Sequence, residues 1–194
     1  MSDVLLDPSA VAISLTRIAA EIVERGRRQA SRAGAPGGLV LVGIRRGGGP
    51  LARRVAAQIE GLGHPRPPIG AVDITLYRDD AATALPSPKI GPSKLPTSIE
   101  GKRVVLVDDV LHTGRTIRAA LDALLDFGRP RTVELAVLVD RGGRELPIQP
   151  DYAGLKVDVE PSDRIEVVWK RTGPDPDDEE PWAIRVPRGP KGGG

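Results

Sequence analysis

Asp108 and Asp109 stand side by side after the apolar run Val104-Val105-Leu106-Val107, and Thr113, Gly114 and Thr116 follow shortly after them. Two adjacent carboxylates repel a phosphate, but they suit the vicinal hydroxyls of a ribose and the hydrated shell of Mg²⁺. The threonines and the glycine suit the phosphate itself, with hydroxyl donors beside a backbone that approaches closely at the start of a helix. That helix is announced by Ile117, Ala120, Leu121 and Leu124, which recur on one face. The order is therefore buried strand, acidic pair, anion loop, helix. One loop of this kind holds ribose 5-phosphate by both ends, whereas a plain capped turn needs neither the paired acids nor the two threonines.

The surrounding pattern supplies the elements that must position these groups. Val11, Leu15, Ile18, Ala19 and Ile22 mark an amphipathic N-terminal helix with Ser9 as its N-cap, and a glycine-proline loop, Gly34 to Gly38, ends it. Leu39 to Ile44 reads as a buried strand, and Leu51, Val55, Ile59 and Leu62 form the inward stripe of the next helix. Val72, Ile74 and Leu76 alternate with Asp73, Thr75 and Tyr77, which predicts a strand with two different faces. Thr83 to Pro96 is too rich in proline for helix or central strand, and serves either as a cover for the site or as a connector. Thr132 to Val139 is a further buried strand ending at Asp140-Arg141, and Ile165 to Trp169 with Trp182 to Val186 form a C-terminal strand pair. The acidic run Asp175 to Glu180 joins that pair as a solvated loop. Strands alternating with helices imply an α/β fold: a mainly parallel twisted sheet flanked by helices, with ligands at the carboxyl ends of the strands. One domain is expected over residues 1–187, with 188–194 as a disordered tail.

Composition narrows the class. The chain of 194 residues has no cysteine, so disulfides, thiol catalysis and a cysteine-based zinc site are excluded. Aromatic residues are only 3% of it, so the core is built from Val, Leu, Ile and Ala. No apolar run approaches the length of a membrane span and no secretory leader is visible, which leads to the expectation of a cytoplasmic protein. Net charge is only +2, yet arginines outnumber acids before Asp73 and give that half of the chain a basic face.

The stretch Val104 to Thr116 resembles the phosphoribosyl-diphosphate (PRPP) motif of type I phosphoribosyltransferases. Leu15 to Ala19, Asp73 to Asp80, Phe127 to Pro130, Leu135 to Gly142 and Arg144 to Pro147 resemble, in order, segments of the PyrR family of pyrimidine attenuators and uracil phosphoribosyltransferases. The resemblance implies transfer of the 5-phosphoribosyl group from PRPP to uracil with Mg²⁺, giving UMP and pyrophosphate. It assigns Asp108, Asp109, Val110, Leu111, His112, Thr113, Gly114, Arg115 and Thr116 to PRPP, with Asp108 and Asp109 as the catalytic pair and indirect partners of Mg²⁺. Pyrophosphate falls to Arg45, Arg46, Gly47 and Gly48. Gly47 stands where the family has arginine, so a Thr-Arg pair in place of Arg46-Gly47 is expected to strengthen catalysis. The base falls to Arg141, Leu155 and Val157, within a base-covering loop that starts at Asp151 and departs from the family pattern over residues 155–161. His112 reads as a loop residue rather than an acid or base.

The family also implies an RNA face at Thr16, Arg17, Arg141 and Arg144, although two histidines of its pattern are replaced here by Ala20 and Gly143. Three functions stay open on these residues: salvage of uracil, regulation by binding pyrimidine leader mRNA in response to UMP, and transfer to another base. A homo-oligomer, dimer or larger, is expected.

Overall fold

Val104, Val105, Leu106 and Val107 are all buried, although successive residues of a strand face opposite ways, so this strand must be covered on both sides. A computed structural model describes residues 3–33, 37–44, 47–75, 93–172 and 179–187. The elements in chain order are β1 (Asp3–Leu6), α1 (Pro8–Ala33), β2 (Gly37–Ile44), α2 (Gly48–Gly61), β3 (Ile69–Val72), β4 (Lys102–Leu111), α3 (Arg115–Leu125), β5 (Thr132–Asp140), β6 (Tyr152–Lys156), β7 (Arg164–Arg171) and β8 (Glu179–Val186). A five-stranded sheet runs β3-β2-β4-β5-β6 with every neighbour parallel. Helices α1 and α2 bury Leu15, Ile18, Leu51 and Val55 against one face, and α3 buries Ile117, Ala120 and Leu124 against the other. Among the described residues no helix is long and apolar enough to cross a membrane.

Several local expectations are corrected. The first helix starts at Pro8, and the Ala10 N–H donates to Asp7 Oδ1 at 2.8 Å, so Asp7 rather than Ser9 caps it. Proline suits the first helical position because it has no N–H to satisfy. The strand expected over 72–77 lies earlier, at Ile69–Val72: the Asp73 carboxylate accepts the Thr75 N–H at 2.9 Å and turns the chain out of the ladder. The base-covering loop at Asp151 to Gly154 enters an edge strand, β6, paired with β5. The C-terminal pair of strands is found as β7 and β8, but β1 joins it to make a three-stranded antiparallel sheet. The proline-rich segment 76–92, residues 45–46, the loop 173–178 and the tail 188–194 lie outside the described residues.

At the amino end of the parallel strands a charge pair is folded inside. Arg103 and Glu134 have side chains only 4% and 3% exposed, and two bonds of 2.9 and 2.6 Å join the guanidinium to the carboxylate. Arg103 Nη1 also donates to the Ile22 carbonyl of α1 at 2.9 Å, the Tyr152 hydroxyl donates to Glu134 Oε2 at 2.6 Å, and Gln29 donates to Glu134 Oε1 at 3.0 Å. A Cβ on Gly26 would sit 2.7 Å from the Arg103 guanidinium, so α1 carries glycine where it passes this pair. Burial alone would raise the Glu134 pKa; the bonds from Arg103 and Tyr152 outweigh it and hold the carboxyl below its ordinary value. The stabilisation is therefore complete above the ordinary glutamate pKa and is lost as pH falls through the depressed folded value. Glu134→Ala would strand a buried guanidinium and should cost about 3–5 kcal/mol in urea unfolding at neutral pH. A cost below about 1 kcal/mol, the range of a surface pair, would show that water reaches Arg103.

Candidate active site

The chain leaves β2 through α2 toward β3 at one edge, and then returns to β4 on the other side of β2. The loops after β2 and β4 therefore diverge, and the crevice between them is where an open parallel sheet accepts a ligand. Strand β4 runs through Asp108 and Asp109 and ends only at Leu111, so the acids lie on the strand rather than after it. Val104 and Leu106 face α3 while Val105 and Val107 face α1 and α2, but the alternation shifts across the acids, because Val110 packs with Val107 and Leu111 with Leu106. The two carboxyl groups meet, joined by a hydrogen bond between the Asp108 and Asp109 side chains. Asp108 is only 5% exposed, and Asp109 is half-buried with its Oδ1 accepting the Val110 N–H at 2.8 Å.

Burial raises the pKa of both acids, and in Asp108 the charge of Asp109 adds to it, leaving Asp108 well above the ordinary carboxylate range. Each acid therefore disfavours the fold while ionised, and that cost is relieved as pH falls through the raised value.

Gly47 and Gly48 bring the other loop onto this pair. A Cβ on Gly47 would fall on the Asp109 carboxylate, and one on Gly48 would fall on the Val107 carbonyl. Both positions need glycine for want of space. A Cβ at position 47 has no room while Asp109 keeps its place, so an arginine there requires the Asp109 carboxylate to move. Arg45 and Arg46, expected at the pyrophosphate, lie outside the described residues.

Beyond β4, Gly114 takes a φ of 92°, a conformation that glycine adopts without strain, and leads into α3, where the Thr113 hydroxyl accepts the Arg115 N–H at 3.4 Å. The first N–H groups of α3 face the loop of Thr113 and Thr116, a ready anion cradle. Thr113 is fixed from the other side, since its carbonyl accepts the N–H groups of Glu145 and Leu146 at 3.0 and 3.1 Å, and Arg115 pairs with Glu145 at 2.6 Å. His112 lies against Gly143, where a Cβ would be 2.8 Å from its Nε2. Burial and then Arg141 lower its pKa, so the ring is neutral at pH 7.

The ends of β4, β5 and β6 are tied in line. The Arg141 N–H donates to the Leu111 carbonyl at 3.1 Å, and the Val157 N–H donates to the Asp140 carbonyl at 2.9 Å. This brings Arg141, Leu155 and Val157 together, beside a cleft of about 400 Å³ lined by Asp140, Gly142, Arg144 and Val157 among others. Arg141 is 7% exposed; its Nη1 donates to the Asp163 carbonyl at 2.6 Å, and its Nε is buried with no partner among the described residues.

Of the residues expected on an RNA face, Thr16 and Arg17 are exposed and Arg141 is buried. Thr16 and Arg17 are exposed on α1, where Arg17 donates to the carbonyls of Ala153 and Gly154 of β6, each at 2.8 Å. Arg144 is turned inward, onto the carbonyls of His112 at 2.8 Å and Ile148 at 2.9 Å and onto the Asp140 carboxylate. Sequence reasoning missed Asp163, which holds Arg141, and Glu145; neither stands in a pattern that sets it apart from surface acids.

A parallel sheet with an acidic pair and a helix N-terminus at its carboxyl edge is the architecture of a phosphoribosyltransferase, and the phosphoribosyl transferase domain model matches residues 1–171. The hypoxanthine phosphoribosyltransferase of Trypanosoma cruzi superposes with a TM-score of 0.63 over 96% of this chain and 97% of that one, at 19% identity, a likeness of fold. The bifunctional protein PyrR of Geobacter sulfurreducens is 52% identical over 166 residues, 86% of this chain and 90% of the relative. That of Pelotomaculum thermopropionicum is 50% identical over 163 residues, 84% and 86% of the two chains. The chain belongs to the PyrR family of phosphoribosyltransferases.

Two substitutions test the geometry of the acids. Asp108→Asn should raise the melting temperature of the metal-free protein at pH 7, with the gain shrinking as pH is lowered, while kcat/KM for PRPP falls roughly 10²-fold. An unchanged or lower melting temperature would mean that Asp108 is not held ionised against its surroundings. Gly47→Arg should lower kcat/KM for PRPP rather than raise it, as steady-state kinetics will read directly.

Proposed function

We propose that the chain transfers the 5-phosphoribosyl group of PRPP to N1 of uracil, releasing UMP and pyrophosphate, and that with UMP bound it recognises pyrimidine leader mRNA. The unpartnered, buried Arg141 Nε carries the base half of this reading. It is a donor withdrawn from water, at the strand end beside Leu155 and Val157, and a pyrimidine carbonyl is an acceptor that would complete it. Roughly 50% identity to proteins named bifunctional PyrR over most of the chain supports both activities.

In this reading the 5-phosphate rests on the loop of His112 to Thr116 at the start of α3, and the ribose hydroxyls lie against Asp108 and Asp109 with Val110 and Leu111 behind them. Pyrophosphate meets the backbone of Gly47 and Gly48, with Arg45 and Arg46 beside it in sequence. Carboxylate oxygens suit Mg²⁺, and no group of three or more potential metal ligands occurs among the described residues, so Asp108 and Asp109 would hold the ion through its water while PRPP oxygens complete its shell. Bound there, Mg²⁺ would neutralise charge developing on the departing pyrophosphate. The protein's own contribution is orientation: Arg141 aims the base, the α3 loop fixes the sugar phosphate, and the two acids stand beside the sugar as positive charge builds at its anomeric carbon.

For RNA, the exposed Thr16 and Arg17 of α1 are the contacts this reading retains, whereas Arg144 bonds the carbonyls of its own loop and of His112. A salvage enzyme without RNA binding is the second reading, favoured by the missing histidines at Ala20 and Gly143.

Two measurements decide between them. A panel of bases with PRPP and Mg²⁺, followed by pyrophosphate release, should give turnover with uracil well above any other base. Titration of a pyrimidine leader RNA should tighten in UMP by the same factor by which the RNA tightens UMP, with Arg17→Ala reducing the log–log salt slope by about one. Equal affinities for leader and scrambled RNA, with and without UMP, would leave the salvage enzyme alone.

A further inference from the structure

Arg141 is fixed by a residue that stands outside the parallel sheet. Among the described residues its side chain is held at Nη1, which donates to the carbonyl of Asp163, just ahead of β7, at 2.6 Å. A guanidinium is a rigid plane, so the position of that carbonyl sets the direction in which the free Nε points. Two bonds locate residue 163. Its N–H donates to the Glu160 carbonyl at 2.9 Å, closing a turn, and its Oδ2 accepts Arg185 Nε at 2.6 Å. Arg185 of β8 sits opposite Ile165, so Asp163, two residues earlier, is its diagonal neighbour on the same face. The Asp163 side chain is 6% exposed and that of Arg185 36% exposed. The acid is thus buried with a partner that reaches water, and losing that partner would leave its charge uncompensated where it supports the Arg141 carbonyl contact.

We propose that Asp163 and Arg185 form a positioning pair for base recognition: the small antiparallel sheet, through this ion pair, aims Arg141 at the pyrimidine. The inference rests on the reading of Arg141 as the base-binding residue and adds to it two residues that do not touch the ligand. It predicts a loss confined to the base. The PRPP groups are carried by β4, α3 and the loop after β2, none of which bonds to Asp163 or Arg185 through any hydrogen bond or ion pair described above.

The test is steady-state kinetics and UMP calorimetry on the full chain with Arg185→Gln, Arg185→Lys, Asp163→Asn, the Asp163→Asn/Arg185→Gln double variant and Arg141→Ala. Arg185→Gln and Asp163→Asn should each raise KM for uracil and Kd for UMP about tenfold, with KM for PRPP within about twofold of the parent. Arg185→Lys keeps a cation at the acid and should recover most of the loss. The double variant should be no worse than either single one, because both remove the same contact. A merely structural role would instead move both substrates together with the melting temperature. If Arg141→Ala weakens uracil and UMP while the Asp163 and Arg185 variants do not, the positioning pair is refuted and the reading of Arg141 stands. If Arg141→Ala leaves both constants unchanged, that reading falls and takes the inference with it.

Discussion

A parallel sheet covered on both faces has no place for a charge except at its two ends, and this constraint organises the whole molecule. Strand β4 shows it within ten residues, from Arg103 at one end to Asp108 and Asp109 at the other, with only Val and Leu between. The same is true of β5, between Glu134 and Asp140. At the amino end the charges neutralise each other: Arg103 and Glu134 are in mutual contact and bonded to α1 and β6. At the carboxyl end they do not. Asp108 and Asp109 share a sign and raise each other's energy, a state that a protein keeps where a ligand supplies the missing countercharge.

The carboxyl edge works as one surface because its loops are bonded to one another through the backbone. Thr113 accepts from Glu145 and Leu146, Leu111 from Arg141, and Asp140 from Val157, so the ends of β4, β5 and β6 move as a unit. Gly47 and Gly48 approach from the other side, Gly47 on Asp109 and Gly48 on Val107.

What was legible in the sequence follows the same division. The apolar runs of β2, β4 and β5 and the stripes of α1, α2 and α3 were visible because burial on a regular element leaves a period. The motif from Asp108 to Thr116 was visible because its chemistry is local. Strand β1 has only four residues and no alternation, and β6 includes Gly154 and depends on a neighbour sixteen positions away in register, Ala136 to Tyr152; neither leaves a local mark. Steric need at Gly47 was hidden, because a glycine required for space and one required for flexibility are spelled alike. The inward bonds of Arg144 were hidden for a related reason: an arginine that closes a loop onto carbonyls is spelled like one that meets solvent.

The pairing of β1 with β8 joins the two ends of the chain, Asp3 with Arg185 and Val4 with Ile184. During synthesis β1 emerges long before β8, its antiparallel partner, exists. The five parallel strands and their helices are all translated by then. The smaller sheet is thus completed after the larger one, by the docking of β8 between β1 and β7, and a chain cut before residue 179 would have its main sheet encoded in full and its smaller sheet unmade.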